Sequence, residues 1–231
     1  MNLLAFDTST ESLSVALAWR DAATGPQLRE HRGEGGRESS AALIPTAMGL
    51  LQQAGLPLAG LDALVFGAGP GSFTGLRTAC AVAQGLAFGA GLRVLPVETL
   101  LAVAEEARHL RGATRVLALL DARMDEVYLA AYEFDGPCWQ RQGDIALARP
   151  EAVTLPAGYV LAGNAFAAYG QRLPAGERIE ALPTAAALLR VAPALIAQGA
   201  AVPADQALPG YVRDKVAQTT EERMALKAAA A

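Results

Sequence analysis

Leu3-Leu4-Ala5-Phe6-Asp7-Thr8-Ser9-Thr10-Glu11-Ser12-Leu13-Ser14-Val15-Ala16-Leu17 begins as an apolar run, stops at an aspartate, turns through polar residues and returns through Leu13, Val15 and Leu17. Two apolar runs joined by a short polar turn predict a β-hairpin. The same grammar recurs half a chain later. Val116 to Leu120 is apolar, Asp121 ends the run, Ala122-Arg123-Met124-Asp125-Glu126 makes a polar turn, and Val127, Leu129 and Ala131 return. Asp7 aligns with Asp121 and Glu11 with Asp125 without a gap. Apolar runs ending in aspartate are common, so chance and duplication are both open readings; duplication predicts two related lobes, each opening strand, acidic turn, strand.

Between the two hairpins lies a strand-to-helix unit. Leu61 to Phe66 reads as a buried strand, Gly67-Ala68-Gly69-Pro70-Gly71-Ser72-Phe73-Thr74-Gly75 as a tight loop, and Leu76 to Ala90 as a helix. Upstream, Ser39-Ser40 can cap a helix carrying Leu43, Ala47, Leu50, Leu51 and Ala54 on one stripe, with Pro45 early in it and Gly55 and Pro57 ending it. The pattern predicts an α/β protein with lobes at residues 1–100 and 101–231, divided near Glu98 to Leu101. Beyond Tyr132 the signals thin. Gly136-Pro137 reads as a turn, Ala146 to Val153 as a connector, Tyr159 to Ala162 as a strand, Ala185 to Gln198 as a helix interrupted at Pro193, and the tail from Thr219 as a frayed helix.

Composition narrows the function. Of 231 residues, 52% are hydrophobic and 18% charged, enough to bury a core. Nineteen basic and 23 acidic residues leave a net charge of −4, so no general field draws nucleic acid, and contact with RNA has to be local or through a partner. Cys80 and Cys138 form no CxxC or disulfide framework, Asp7 interrupts the first apolar run, and Arg190 and Pro193 interrupt the most apolar late stretch. A cytoplasmic protein without a membrane span is expected.

Three features could carry chemistry. The glycine loop lets backbone N–H groups converge at a helix start, which reads either as a phosphate cradle, with Gly69, Gly71, Ser72 and Thr74, or as a sharp turn shaped for packing and capped by Ser72 or Thr74. It lacks the lysine of a Walker A loop and the spacing of a dinucleotide fingerprint. Asp7 and Asp121 could hold magnesium on a nucleotide, or each could cap its own turn. No metal site is expected from His31 and His109, the two histidines, which form no HxxxH or HExxH pair. No GxSxG elbow is present either. On the helix behind the loop, Ala81, Gly85 and Gly89 recur every four residues beside Val82, Leu86 and Phe88. That ridge reads as packing on its own sheet or as a face that a second helix can approach closely, a second copy of the chain included.

Phe6-Asp7-Thr8-Ser9-Thr10, the loop Gly67 to Gly75 with Leu76-Arg77 and Gln84-Gly85-Leu86-Ala87 behind it, Asp121-Ala122-Arg123-Met124-Asp125-Glu126-Val127-Tyr128, and Pro209-Gly210-Tyr211-Val212-Arg213 together resemble the TsaB (YeaZ) family over nearly the whole chain. The resemblance implies an actin and Hsp70-like (ASKHA) fold of two related lobes, each a mixed sheet flanked by helices. It also implies a part in making N6-threonylcarbamoyladenosine at position 37 of tRNAs reading codons that begin with adenine. In that pathway a separate enzyme makes threonylcarbamoyl-adenylate, TsaD transfers the group, and the ATPase TsaE resets the complex. The chain would be the non-catalytic subunit, reaching tRNA only through the complex. It would pair with TsaD through Leu43, Ala47, Leu50, Leu51 and Ala54 of the first helix and Arg77, Ala81, Val82, Gly85, Phe88 and Gly89 of the second. It would need no cofactor of its own, with ATP or ADP and magnesium at the joint. Glu38-Ser39 stands where many relatives carry a histidine, so no histidine role is expected there. The competing reading is an ATP-dependent kinase or ATPase working with Asp7, Asp121 and the glycine loop; an endopeptidase is disfavoured by the missing metal ligands.

Overall fold

The computed structural model describes residues 1–36 and 39–213. The expected tail helix from Thr219 lies outside them.

The first half builds one five-stranded sheet. β1 (Leu3–Asp7) and β2 (Ser12–Asp21) form the expected hairpin, with Leu3 opposite Ala18 and Asp7 opposite Ser14. β3 (Gly25–Glu34) pairs antiparallel with β2. After α1 (Ser39–Ala54), β4 (Ala63–Gly69) runs parallel to β1, α2 (Phe73–Ala90) follows the glycine loop, and β5 (Arg93–Glu98) runs parallel to β4. The order is β3-β2-β1-β4-β5. All five residues of β1 are buried, which is why an unbroken apolar run, rather than an alternating one, sits at the centre of the sheet.

After α3 (Thr99–Arg111) the plan repeats. β6 (Arg115–Arg123), β7 (Glu126–Phe134) and β8 (Trp139–Ala148) form an antiparallel meander, and β9 (Val160–Gly163) and β10 (Arg178–Glu180) add in parallel on the other side of β6. Read as β8-β7-β6-β9-β10, the second sheet has the first sheet's order and strand directions throughout. The duplication is therefore in the topology, as well as in the Asp7 and Asp121 motifs.

α3 and α5 (Ala185–Ala197) fill the space between the sheets, where Leu3, Val65, Leu100, Val103, Ala118, Tyr132, Leu188 and Val191 share one core. α1 and α2 cover the outer face of the first sheet around Phe6, Leu13, Phe66 and Ala83. The second sheet's outer face carries a smaller cluster with Phe166 and Tyr169 of α4 (Phe166–Tyr169). α5 comes late in the chain yet packs on the first sheet, and the Ala185 N–H at its start donates to Ser14 Oγ of β2 at 2.8 Å. Glu105 and Glu106 of α3 are buried and anchored by Arg190 of α5, which donates to Glu105 at 3.0 Å and also to Glu106, while Trp139 Nε1 donates to Glu105 at 2.9 Å.

Several expectations change. β3 and β8 are strands that the sequence reading lacked, and Ala146 to Ala148 finish β8 rather than starting a connector. Both are edge strands with mostly exposed polar side chains, so neither carries an apolar period. α3 was also missing. It is buried almost throughout, including its two glutamates, so it shows no polar face. The second acidic turn is tighter than expected, because β6 continues to Arg123 and three successive non-glycine residues, Arg123, Met124 and Asp125, take positive φ of 60°, 55° and 65°. Ser39 does not cap α1. It lies inside the helix with Oγ buried and without a hydrogen-bond partner among the described residues. Glu98 to Leu101 mark the junction of β5 and α3.

Candidate functional site

Ser72 caps α2, its Oγ accepting from the Gly75 N–H, and the glycines before and after it are small because the chain itself comes close. A Cβ on Gly71 would stand 2.6 Å from the Ser9 carbonyl oxygen; on Gly67 it would collide with Asp7 Oδ2, and on Gly75 with the Thr8 carbonyl. Gly69 has φ +124° and faces the Gly210 carbonyl. The Ser72 N–H donates to Ser9 O at 2.7 Å, Thr8 Oγ1 to Gly75 O at 2.7 Å, and the Gly210 N–H to Ala68 O at 2.7 Å. The loop is thus seated on the β1–β2 turn and closed over by the segment around Gly210. Ser72 and Thr74 are exposed at its edge.

The two aspartates of the repeat are both engaged. Asp7 is 1% exposed; Oδ1 accepts from the backbone and hydroxyl of Ser9 at 3.0 and 2.8 Å, and Oδ2 is buried without a partner among the described residues. Burial pushes its pKa up to about 7 against the lowering effect of the Ser9 hydrogen bonds. Asp121 Oδ1 accepts from the Arg123 N–H and the Tyr169 hydroxyl, each at 2.8 Å, and Arg123 Nη1 lies 3.5 Å from Oδ2. Burial, together with the hydrogen bond to Asp121, pushes the Tyr169 phenol up to about 12. An actin-like fold implies magnesium nucleotide between its lobes. The residues here do not fit it: Asp7 is walled in by Gly67, Asp121 is spent on its own turn, and the loop N–H of Ser72 is given to Ser9. Among the described residues no cluster of His, Cys, Asp or Glu could hold a metal ion.

A cleft of about 890 Å³ does lie between the β1–β2 and β6–β7 turns, walled by Leu76, Leu120, Tyr128, Leu182 and Tyr211. Its charges are satisfied internally. Arg123 pairs with Glu11 across the lobes, and Arg213 pairs with Glu126 at 2.6 Å.

The other conspicuous surface is the outer face of α1 and α2. Ala81, Gly85 and Gly89 are exposed, a Cβ on either glycine would meet open space, Val82 is half-buried and Phe88 is 83% exposed. The first helix is arranged otherwise than expected. Leu43, Ala47, Leu50 and Leu51 are buried in the first core, and Ala54 is half-buried, because the regular stripe is the one that meets the sheet. Its solvent side instead presents Ile44 and Met48, 43% and 41% exposed, with Pro45. Reading the face opposite the apolar stripe would have found them.

Arg77 begins the Ala81–Gly85–Gly89 row and is exposed. Its guanidinium lies 3.8 Å over the Phe73 ring, its Nε donates to Tyr211 Oη at 2.9 Å, and the Phe73 and Tyr211 rings are 5.3 Å apart. The Pro209 to Arg213 motif therefore fixes the start of α2, a role the sequence alone did not assign.

A family model described as TsaD, tRNA N6-adenosine threonylcarbamoyltransferase, matches residues 24–180. The tRNA threonylcarbamoyladenosine biosynthesis protein TsaB of Escherichia coli is 38% identical over 94% of this chain and 96% of its own length. The protein of the same name from Haemophilus influenzae is 47% identical over 56% of this chain and 53% of its own. The structure of YeaZ from Pseudomonas aeruginosa superposes with a TM-score of 0.83 at 40% identity, covering 91% of this chain and 99% of that one. With these likenesses and the duplicated two-sheet architecture, the chain belongs to the TsaB (YeaZ) family, within the wider group that the TsaD model describes.

Proposed function

We propose that this chain is a non-catalytic subunit in the synthesis of threonylcarbamoyladenosine in tRNA, and that it acts by docking a TsaD partner on the outer face of α1 and α2. The observation that carries the reading is the exposure of Phe88 beside the open glycines Gly85 and Gly89, an apolar helix surface that none of the described residues covers. Kinship to proteins named for this pathway supplies the reaction. The occupied environments of Asp7 and Asp121 favour a supporting role over a kinase or ATPase role. In the same reading the chain needs no cofactor, ATP or ADP with magnesium sits at the joint with TsaD, TsaE joins the assembled pair, and tRNA is reached through the complex. Alone, the chain pairs with a second copy through the same face. The cellular setting is the cytoplasm, where tRNA is modified; among the described residues no helix is long and apolar enough to cross a membrane.

Gly85→Leu tests this directly. The variant is expected to fold, because the new side chain points into open space, yet to lose co-purification with TsaD and to fail in a tRNA modification assay reconstituted from the purified subunits. Retained binding and activity would overturn the docking face. Micromolar magnesium-ATP binding by the isolated chain, with turnover lost in Asp7→Asn, would restore the enzyme reading.

A further inference from the structure

The sixteen residues of α1 include no charged side chain, and the eighteen of α2 include one, Arg77. That single charge is held in place. Stacking on Phe73 and the hydrogen bond to Tyr211 fix the guanidinium plane at the head of the Ala81–Gly85–Gly89 row, and among the described residues no carboxylate pairs with it. A guanidinium immobilised before binding loses little further freedom when it meets a carboxylate, and its remaining N–H groups suit two-point pairing.

From this we infer that Arg77 is the charged anchor of the docking face and selects a different chain over a second copy of this one. The inference rests on the docking reading above. The partner it fits presents bulky apolar side chains to the shallow glycine row and an aspartate or glutamate beside its amino-terminal end. Two copies of this chain meeting through α1 and α2 bring two arginines and no acid from either helix pair, so in self-pairing the facing helices supply neither charge with a counter-ion. Specificity is the difference between the two affinities, and one unmatched charge at each end of the homodimer separates them.

The test measures two dissociation constants across a sodium chloride series: that for TsaD purified from the same organism, and that for self-association. Arg77→Gln is expected to weaken TsaD binding about 30-fold or more, to flatten its salt dependence, and to leave self-association unchanged or tighter. Arg77→Lys retains the salt dependence while binding more weakly than the parent. Tyr211→Phe, which frees the guanidinium and leaves its charge, weakens TsaD binding several-fold with the salt dependence intact. Equal loss of both associations in Arg77→Gln, with an unchanged salt slope, would show a purely structural arginine; parental TsaD affinity in that variant would also overturn the anchor. Should Gly85→Leu abolish TsaD binding while Arg77→Gln does not, the anchor fails and the docking face stands. Retained binding in Gly85→Leu removes both.

Discussion

Oδ2 of Asp7 is enclosed against the backbone of Gly67, so close that residue 67 has no room for a side chain. The strand end of β1 and the start of the glycine loop are locked face to face. Gly67→Ala is expected to lower stability by about 3 kcal/mol or more, because both walls are rigid and a methyl would meet Asp7 and Thr99 together. Urea titration of the two proteins checks it.

The same enclosure gives Asp7 a pH signature. A carboxyl whose folded pKa is about 7 against an ordinary 3.8 favours the protonated folded state. Stability attributable to it is greatest below pH 4, falls as pH rises through the window from 4 to 7, and is constant above that, by roughly 4 kcal/mol in all. Asp7→Asn is expected to remove this slope and to match or exceed the parent at pH 8, read from thermal melts across the range.

Glu105 works with the opposite sign. Burial alone would raise its pKa, but hydrogen bonds from Arg108 and Trp139 and the charges of Arg108 and Arg190 outweigh it and hold the carboxyl below its ordinary 4.5. Its contribution is present above that value and is lost as pH falls through the lowered one. Arg190→Met leaves Glu105 and Glu106 short of a counter-charge between the sheets. It should cost about 3 kcal/mol at pH 7 and less in acid, measured by denaturant unfolding at both pH values.

Leu51 and Phe88 separate core from surface on the paired helices. Leu51→Ala should cost about 2–5 kcal/mol of stability. Phe88→Ser should change stability by no more than about 0.5 kcal/mol while weakening self-association, which sedimentation velocity reads directly.

The duplicated lobes were legible because β1 and β6 are central strands, whose apolar runs end at aspartates in matching turns. The α2 ridge was legible because small residues at four-residue intervals leave a strip with almost no side-chain volume along one side of the helix. What escaped did so for physical reasons. β3 and β8 sit at sheet edges, where solvent accepts almost any side chain, and α3 hides Glu105 and Glu106 by pairing them with arginine from a helix about eighty residues away. The α1 face was misassigned because the regular leucine stripe, the strongest signal, belongs to the inside. The glycine loop was ambiguous because close approach to one's own backbone and close approach to phosphate demand the same residue. Only the positions of Thr8, Ser9 and Gly210 distinguish them.

Because α5 is laid across the amino-terminal sheet, that sheet cannot be finished while the ribosome is still translating the first hundred residues. The part of its inner side that α5 covers, along β1 and β2, stays bare until Ala197 has left the exit tunnel, so the nascent chain carries a sticky, half-built lobe through most of its synthesis. Splitting the gene between the repeats would leave the amino-terminal product without α5, and it should recover native structure only when mixed with the other fragment.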